Sequence, residues 1–133
     1  MSTAKVNTLT GTTSAGSISV TGEGGSTTTN LQQGLAKVWC NADQSGNSSD
    51  GFNIDSVTDN GTGDVTYNFN NAMSNAVYSF VGACSRDSAS TNEGFVFSIH
   101  SQATGSARAR HLYHGQTAYD HDILNTAIHG DLA

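Results

Sequence analysis

The stretch Phe52 to Val81, FNIDSVTDNGTGDVTYNFNNAMSNAVYSFV, restricts the fold of this chain more than any other segment. It reads as strand, tight turn, strand, loop, strand. Ile54 and Val57 lead into Asp59-Asn60-Gly61, where Asn and Gly accept the positive φ that hairpin turns require. Val65, Tyr67 and Phe69 alternate with Thr66 and Asn68, which puts apolar side chains on one sheet face and polar ones on the other.

The rest of the chain after Leu35 repeats the pattern. Candidate strands are Ala36 to Cys40, Phe52 to Val57, Val65 to Phe69, Val77 to Cys84, Gly94 to His100, Ala107 to Tyr113 and Ile123 to His129. Polar loops such as NADQSGNSSDG and SRDSASTNE separate them. Leu, Lys and Glu are scarce, so long helices have little to build from. Short strands at this spacing predict an all-β fold, an antiparallel β-sandwich or small barrel (jelly-roll-like), over residues 36–133. Trp39, Phe52, Tyr67, Phe69, Tyr78, Phe80, Phe95 and Phe97 are expected to supply most of its core.

Residues 1–35 differ. They are mostly Thr, Ser, Gly and Asn, with isolated apolar positions at Val6, Leu9, Ile18, Val20, Leu31 and Leu35. Such a segment cannot bury enough surface to offset its conformational entropy alone. It reads either as a disordered arm or as an extended N-terminal arm ordered by strand addition to a partner or to copies of itself. In the second reading those six apolar residues are the docking positions.

Charge excludes some partners. Eleven carboxylates against five basic residues give a net charge of −6. That opposes sequence-independent binding to nucleic acid, which needs cations to displace counterions, and equally opposes docking on anionic lipid. No apolar run approaches the roughly 20 residues of a membrane-spanning helix. The N-terminus lacks the apolar centre of a signal peptide, so synthesis in a cytoplasm without Sec export is expected.

Motifs that would carry chemistry are weak. His111 and His114 in HLYH, with His100, His121 and His129, invite a metal reading. On a strand, however, positions three apart face opposite ways, and the histidines read better as surface or interface groups. DNGTGD lacks the alternating ligands and terminal Glu of a calcium loop. GEGGSTTT has no following Lys-Ser/Thr, and no G-x-S-x-G elbow occurs. No cofactor, no metal and no enzymatic activity are expected. Cys40 and Cys84 fall in candidate strands and read as buried thiols, with an adjacent-strand disulfide as the alternative. Arg108 and Arg110 share a strand face, either as a solvated or ion-paired face or as an anionic-glycan contact.

Taken together, TAKVNTLTGTTSAGSISVTGEGGSTTTNLQQGLAKVW, SVTDNGTGDVTYNF with NAMSNAVYSFVGA, and the terminal AIHGDLA resemble a module in virion structural proteins of tailed phages, especially those of marine bacteria and cyanobacteria. The resemblance runs over nearly the whole chain. It departs after Trp39, where CNADQSGNSSDG stands in place of an aromatic-Asn-Gly turn, and over residues 101–126, which match nothing in the pattern.

The resemblance implies a virion component made in the host cytoplasm, forming a homotrimer whose Thr/Gly-rich arms pair around an axis. With its own Met1 and C-terminus the chain reads as a small complete protein, which suits a capsid decoration, cement or short head-fibre protein. The arm would dock on the major capsid protein or another virion protein. The alternative is a short tail fibre or tip adhesin recognising host surface glycan. A free carbohydrate-binding module is a third reading. For glycan contact the expected residues are Arg108, Arg110, His111, Tyr113, His114 and Tyr119.

Overall fold

The computed structural model describes residues 3–13, 18–22, 24–25, 27–86, 95–113 and 117–133. The chain divides into two units, Met1–Leu35 and Ala36–Ala133.

In the first unit, β1 (Ser19–Thr21) pairs antiparallel with β2 (Thr28–Asn30), Val20 opposite Thr29. One helical turn, α1 (Leu31–Gly34), follows directly. The Asn30 side chain caps it by accepting from the Gln33 N–H at 3.2 Å. None of the described residues of this unit is buried. Val6, Leu9, Val20 and Leu35 are more than half exposed, and Ile18 and Leu31 are half-buried. The hairpin is therefore a local structure with no core of its own.

The second unit is an antiparallel β-sandwich. Its strands are β3 (Val38–Ala42), β4 (Ser48–Phe52), β5 (Ile54–Gly61), β6 (Asp64–Phe69), β7 (Ser79–Ser85), β8 (Phe95–Ala103), β9 (Ser106–Tyr113), β10 (Thr117–Ala118) and β11 (Ile123–His129). One sheet has the order β4-β3-β11-β7. The other runs β5-β6-β9-β8, with β10 on the same side of β9 as β6 and continuing its line: Asp64 pairs with Arg110, then Ala118 with Leu112. Among the described residues no strand closes the sheets into a barrel.

Alternation decides which side chains face inward. Val38, Cys40 and Ala42 on β3, Phe80 on β7, and Leu124 and Ile128 on β11 meet Val57, Val65, Tyr67, Phe69, Ala107 and Ala109 from the opposite sheet. Phe80 stands edge-on to Tyr67 at 6.0 Å and to Phe97 at 5.2 Å, so three rings from three strands cross the interior. Burying each ring contributes roughly 1.5–3 kcal/mol. Gly82 on β7 makes room for this: a Cβ there would lie 2.5 Å from the Phe97 ring.

Three expectations are corrected. The turn after β5 falls at Thr62-Gly63, two residues later than Asn60-Gly61. Gly61 pairs with Asp64, Gly63 takes φ 65°, and Asn60 is left in the strand as a bulge residue. A Cβ on Gly63 would sit 2.5 Å from the His111 carbonyl and 2.6 Å from the Tyr119 nitrogen, so only glycine fits. Second, the loop after Trp39 contains β4, closed on β3 by Asp43, whose carboxylate accepts from the Asn47 backbone and side-chain amides, both at 3.0 Å. Third, the expected strand from Phe52 to Val57 breaks at Asn53, which adopts φ 59° and carries the chain from one sheet to the other.

The aromatic core is also smaller than expected. Trp39 is 40% exposed and Phe52 is 51% exposed, because the inward positions of β3 belong to the smaller Val38, Cys40 and Ala42. The two thiols are free and lie inward, Cys40 buried on β3 and Cys84 half-buried on β7. With β11 between them they stand two strand spacings apart and two residues out of register, Cys40 opposite Thr126 and Cys84 opposite Leu124, which is about 12 Å and beyond the reach of a disulfide. Burial raises both thiol pKa values.

Candidate functional site

Functional groups collect at the end of the sandwich formed by the Asp43–Asn47 turn, the Thr62-Gly63 turn and residues 117–122. Gln44 links these pieces. Its backbone N–H donates to the His121 carbonyl at 3.2 Å, and its side-chain oxygen meets His111 Nδ1 at 3.3 Å. The His111 N–H donates to the Gly63 carbonyl at 2.8 Å, and its carbonyl accepts from Tyr119 at 3.1 Å. The strand β9 is thus held at His111 by both the end of one strand and the start of another.

The expected recognition residues separate into two places. Arg108 and Arg110 project from the outer face of β9, where alternation puts them opposite Ala107, Ala109 and His111. Asp64 receives them both. Arg108 Nε reaches Oδ1 at 2.6 Å and its terminal nitrogen reaches Oδ2 at 2.8 Å, a two-pronged pair, while Arg110 Nε makes one longer contact of 3.4 Å. The Arg108 guanidinium holds the Asp64 carboxyl below the usual range, against the opposing effect of burial, with Asn60 and Arg110 adding hydrogen bonds. The surrounding face is a polar ladder: Asn60 donates to Thr66 at 2.8 Å, and Asn68 to Ser56 and Thr58 at 3.1 and 3.0 Å.

His111 is a correction. It is fully buried, so it cannot belong to a contact surface. It points between the sheets, with its ring centroid 5.5 Å from Phe97 and 6.1 Å from His121. His121 is buried too, edge-on to Phe95 at 4.6 Å, with Nδ1 hydrogen-bonded to the Tyr119 carbonyl at 2.9 Å. The Nε2 atoms of both rings have no hydrogen-bond partner among the described residues. Burial, with the neighbouring His121 adding repulsion, pushes His111 down to about 4; burial likewise lowers His121, only partly offset by the Tyr119 carbonyl. Both imidazoles are therefore neutral near pH 7. Tyr113 and Tyr119 are half-buried and face each other at 6.0 Å. Arg86 lies over the Tyr119 ring at 4.6 Å and hydrogen-bonds its hydroxyl. His114 lies outside the described residues.

Beside this core a cleft of about 290 Å³ is lined by Asp43, Gln44, Ser45, Asp59, Asp120, His121 and Asp122. Three of its carboxylates have structural duties: Asp43 closes the β3–β4 turn, Asp59 accepts from the Gly61 N–H at 2.7 Å, and Asp120 accepts from the Gly63 N–H at 2.7 Å. Among the described residues no three His, Cys, Asp or Glu converge closely enough to hold a metal ion.

Sequence reasoning missed the outer face of the four-stranded sheet. Phe52, Trp39, Ala127 and Val81 lie in register across β4, β3, β11 and β7. Val38, Cys40 and Ala42 carried the signal, since three inward residues at alternate positions force Trp39 outward.

Compared with known protein families, curated proteins and solved structures, the chain matches none.

Proposed function

We propose that this chain is a structural protein of a phage particle, carried on its surface as a capsid decoration, cement or short head-fibre protein and held there as a homotrimer through residues 1–35. The observation that carries the reading is the contrast between the two units. The sandwich has a buried core of its own. The preceding unit has no buried residue among those described and leaves Val6, Leu9, Val20 and Leu35 exposed. Apolar side chains spaced along a Thr-, Ser- and Gly-rich segment acquire a use when a partner covers them. The resemblance of the quoted segments to virion proteins favours capsid or another virion protein as that partner.

The test is a comparison of the full chain with a variant lacking residues 1–35. Both are purified and mixed with phage particles stripped of this protein. Attachment of the full chain and loss of attachment by the shortened one are expected, with sedimentation showing a trimer only for the former. Undiminished attachment of the shortened chain overturns the docking role. Copy number separates head from tail: hundreds of copies per particle mean decoration, and a handful means a tail fibre or tip adhesin.

A further inference from the structure

We infer that the outer face of the four-stranded sheet is a binding platform for a neutral oligosaccharide, with Trp39 and Phe52 as its stacking surface. Trp39 and Phe52 are direct cross-strand partners, so their side chains stand about 4.5–5.5 Å apart at Cβ on one face. Ala127 and Val81 extend the row over the remaining two strands. The row is about 14 Å long, three strand spacings, enough for a short oligosaccharide. Phe52 and Val81 are each about half exposed.

The neighbouring row, two residues along each strand, is of another chemistry. Asp50, Asn41 and Asn125 lie side by side there. Asn41 Nδ2 donates to Asn125 Oδ1 at 2.6 Å, which links the two amides side by side on the face. Among the described residues nothing accepts from Asn125 Nδ2, and Asp50 uses Oδ1 on the Gly51 N–H at 2.8 Å, leaving Oδ2 unused. A pyranose ring presents an apolar C–H face bordered by hydroxyls that donate and accept. An exposed aromatic pair beside an amide donor and a carboxylate acceptor matches both features. Neither row contains Lys or Arg, so an anionic glycan or a nucleic acid finds no counter-charge on it.

Area argues against a second copy of this chain as the occupant. With aromatic side chains of 150–250 Å² each, the exposed parts of Trp39, Phe52 and Val81 amount to roughly 300 Å² of apolar surface, short of the roughly 450–500 Å² of apolar surface in a stable interface of about 800 Å² per partner. A patch of that size lies in the range of the largest apolar patch on a typical monomer, which is often functional. The polar ladder on the opposite sheet has no comparable aromatic surface, and Arg108 and Arg110 there are engaged with Asp64.

Trp39 is the only tryptophan in the chain, so its emission reports this face alone. The full chain is titrated with cellohexaose, chitohexaose and mannohexaose up to millimolar concentration. A saturable blue shift with at least one of them is expected. Phe52→Ala should weaken that binding roughly tenfold, while Phe52→Tyr retains it and Arg108→Ala leaves it unchanged. Should Phe52→Ala fail to fold, Val81→Asp on the other edge of the row carries the same expectation. No saturable change with any of the three sugars overturns the inference. So does a shift that survives both Phe52→Ala and Val81→Asp. An emission change that follows protein concentration instead of sugar, and disappears with oligomer in Phe52→Ala, overturns it in favour of a second copy. The inference stands apart from the virion reading, because it is tested on the soluble chain and the other on particle attachment.

Discussion

Asn53 Oδ1 accepts the backbone N–H of Asn71 at 2.7 Å, and Asn53 Nδ2 donates back to the Asn71 carbonyl at 3.0 Å. The same Nδ2 also donates to the Lys37 carbonyl at 3.2 Å. One buried side chain thereby ties the corner between β4 and β5 to the end of β6 and to the residue before β3, and it does so from a left-handed backbone that Asn tolerates better than most residues.

Asn53→Ala removes these hydrogen bonds and leaves the positive φ in place, so a loss of about 2–4 kcal/mol is expected in chemical denaturation. Asn53→Gly relieves the backbone and should recover about 1 kcal/mol of it. Equal losses in the two variants would show that the backbone conformation contributes nothing.

Acid should weaken the sandwich in a window set by His111. Its folded pKa is about 4, against the ordinary 6.5, so the unfolded chain takes up this proton before the folded one does. The contribution is present in full above pH 6.5, declines as pH falls, and is exhausted near pH 4. It amounts to about 3 kcal/mol. His111→Gln should flatten stability between these limits, measured as denaturation midpoints across pH. An unchanged slope would assign the acid sensitivity elsewhere.

Asp64 has a different window. Its folded pKa is lowered, so its contribution is present above the ordinary carboxylate pKa and is lost only as pH falls through the lower folded value. Asp64→Ala leaves Arg108 without its two-pronged partner and should lower the thermal midpoint by roughly 5 °C. Arg110→Ala removes one long contact from an exposed side chain and should lower it by no more than about 2 °C. Asp64→Ala removes this contact too, so reversal of that order would show that the pairing with Arg108 is not stabilising.

Tyr67 is fully buried, and its hydroxyl has no hydrogen-bond partner among the described residues. Burial raises its pKa well above the ordinary value. Tyr67→Phe keeps the ring against Phe80 and removes the unpartnered group, so stability should rise by about 1 kcal/mol. A fall would mean that the hydroxyl is satisfied by a buried water.

Alternation made most strands legible. Val65, Tyr67 and Phe69 face the core, and the strand over Ile123 to His129 has the bounds its apolar spacing suggests. Strand β4 was not legible, because all five of its residues are exposed and SSDGF has no apolar alternation to betray a sheet. The turn moved from Asn60-Gly61 to Thr62-Gly63 because local propensity cannot see that His111 and Tyr119 crowd the second position. The burial of His111 was legible in principle. Ala107, Ala109 and His111 share one face, so the two arginines had to take the other. The outward Trp39 was hidden by the ordinary assumption that the largest apolar residue goes inside, which fails when its smaller neighbours already fill the interior.

Gly82 and Phe97 divide one volume between two strands of opposite sheets, the first by having no side chain and the second by filling the space. Neither can change alone without a clash or a void. Among related sequences the two positions should therefore covary: where position 82 carries a methyl or larger group, position 97 should carry a smaller one. A pairing of this kind, recovered from sequences alone, would date the packing of the sandwich to before those lineages diverged.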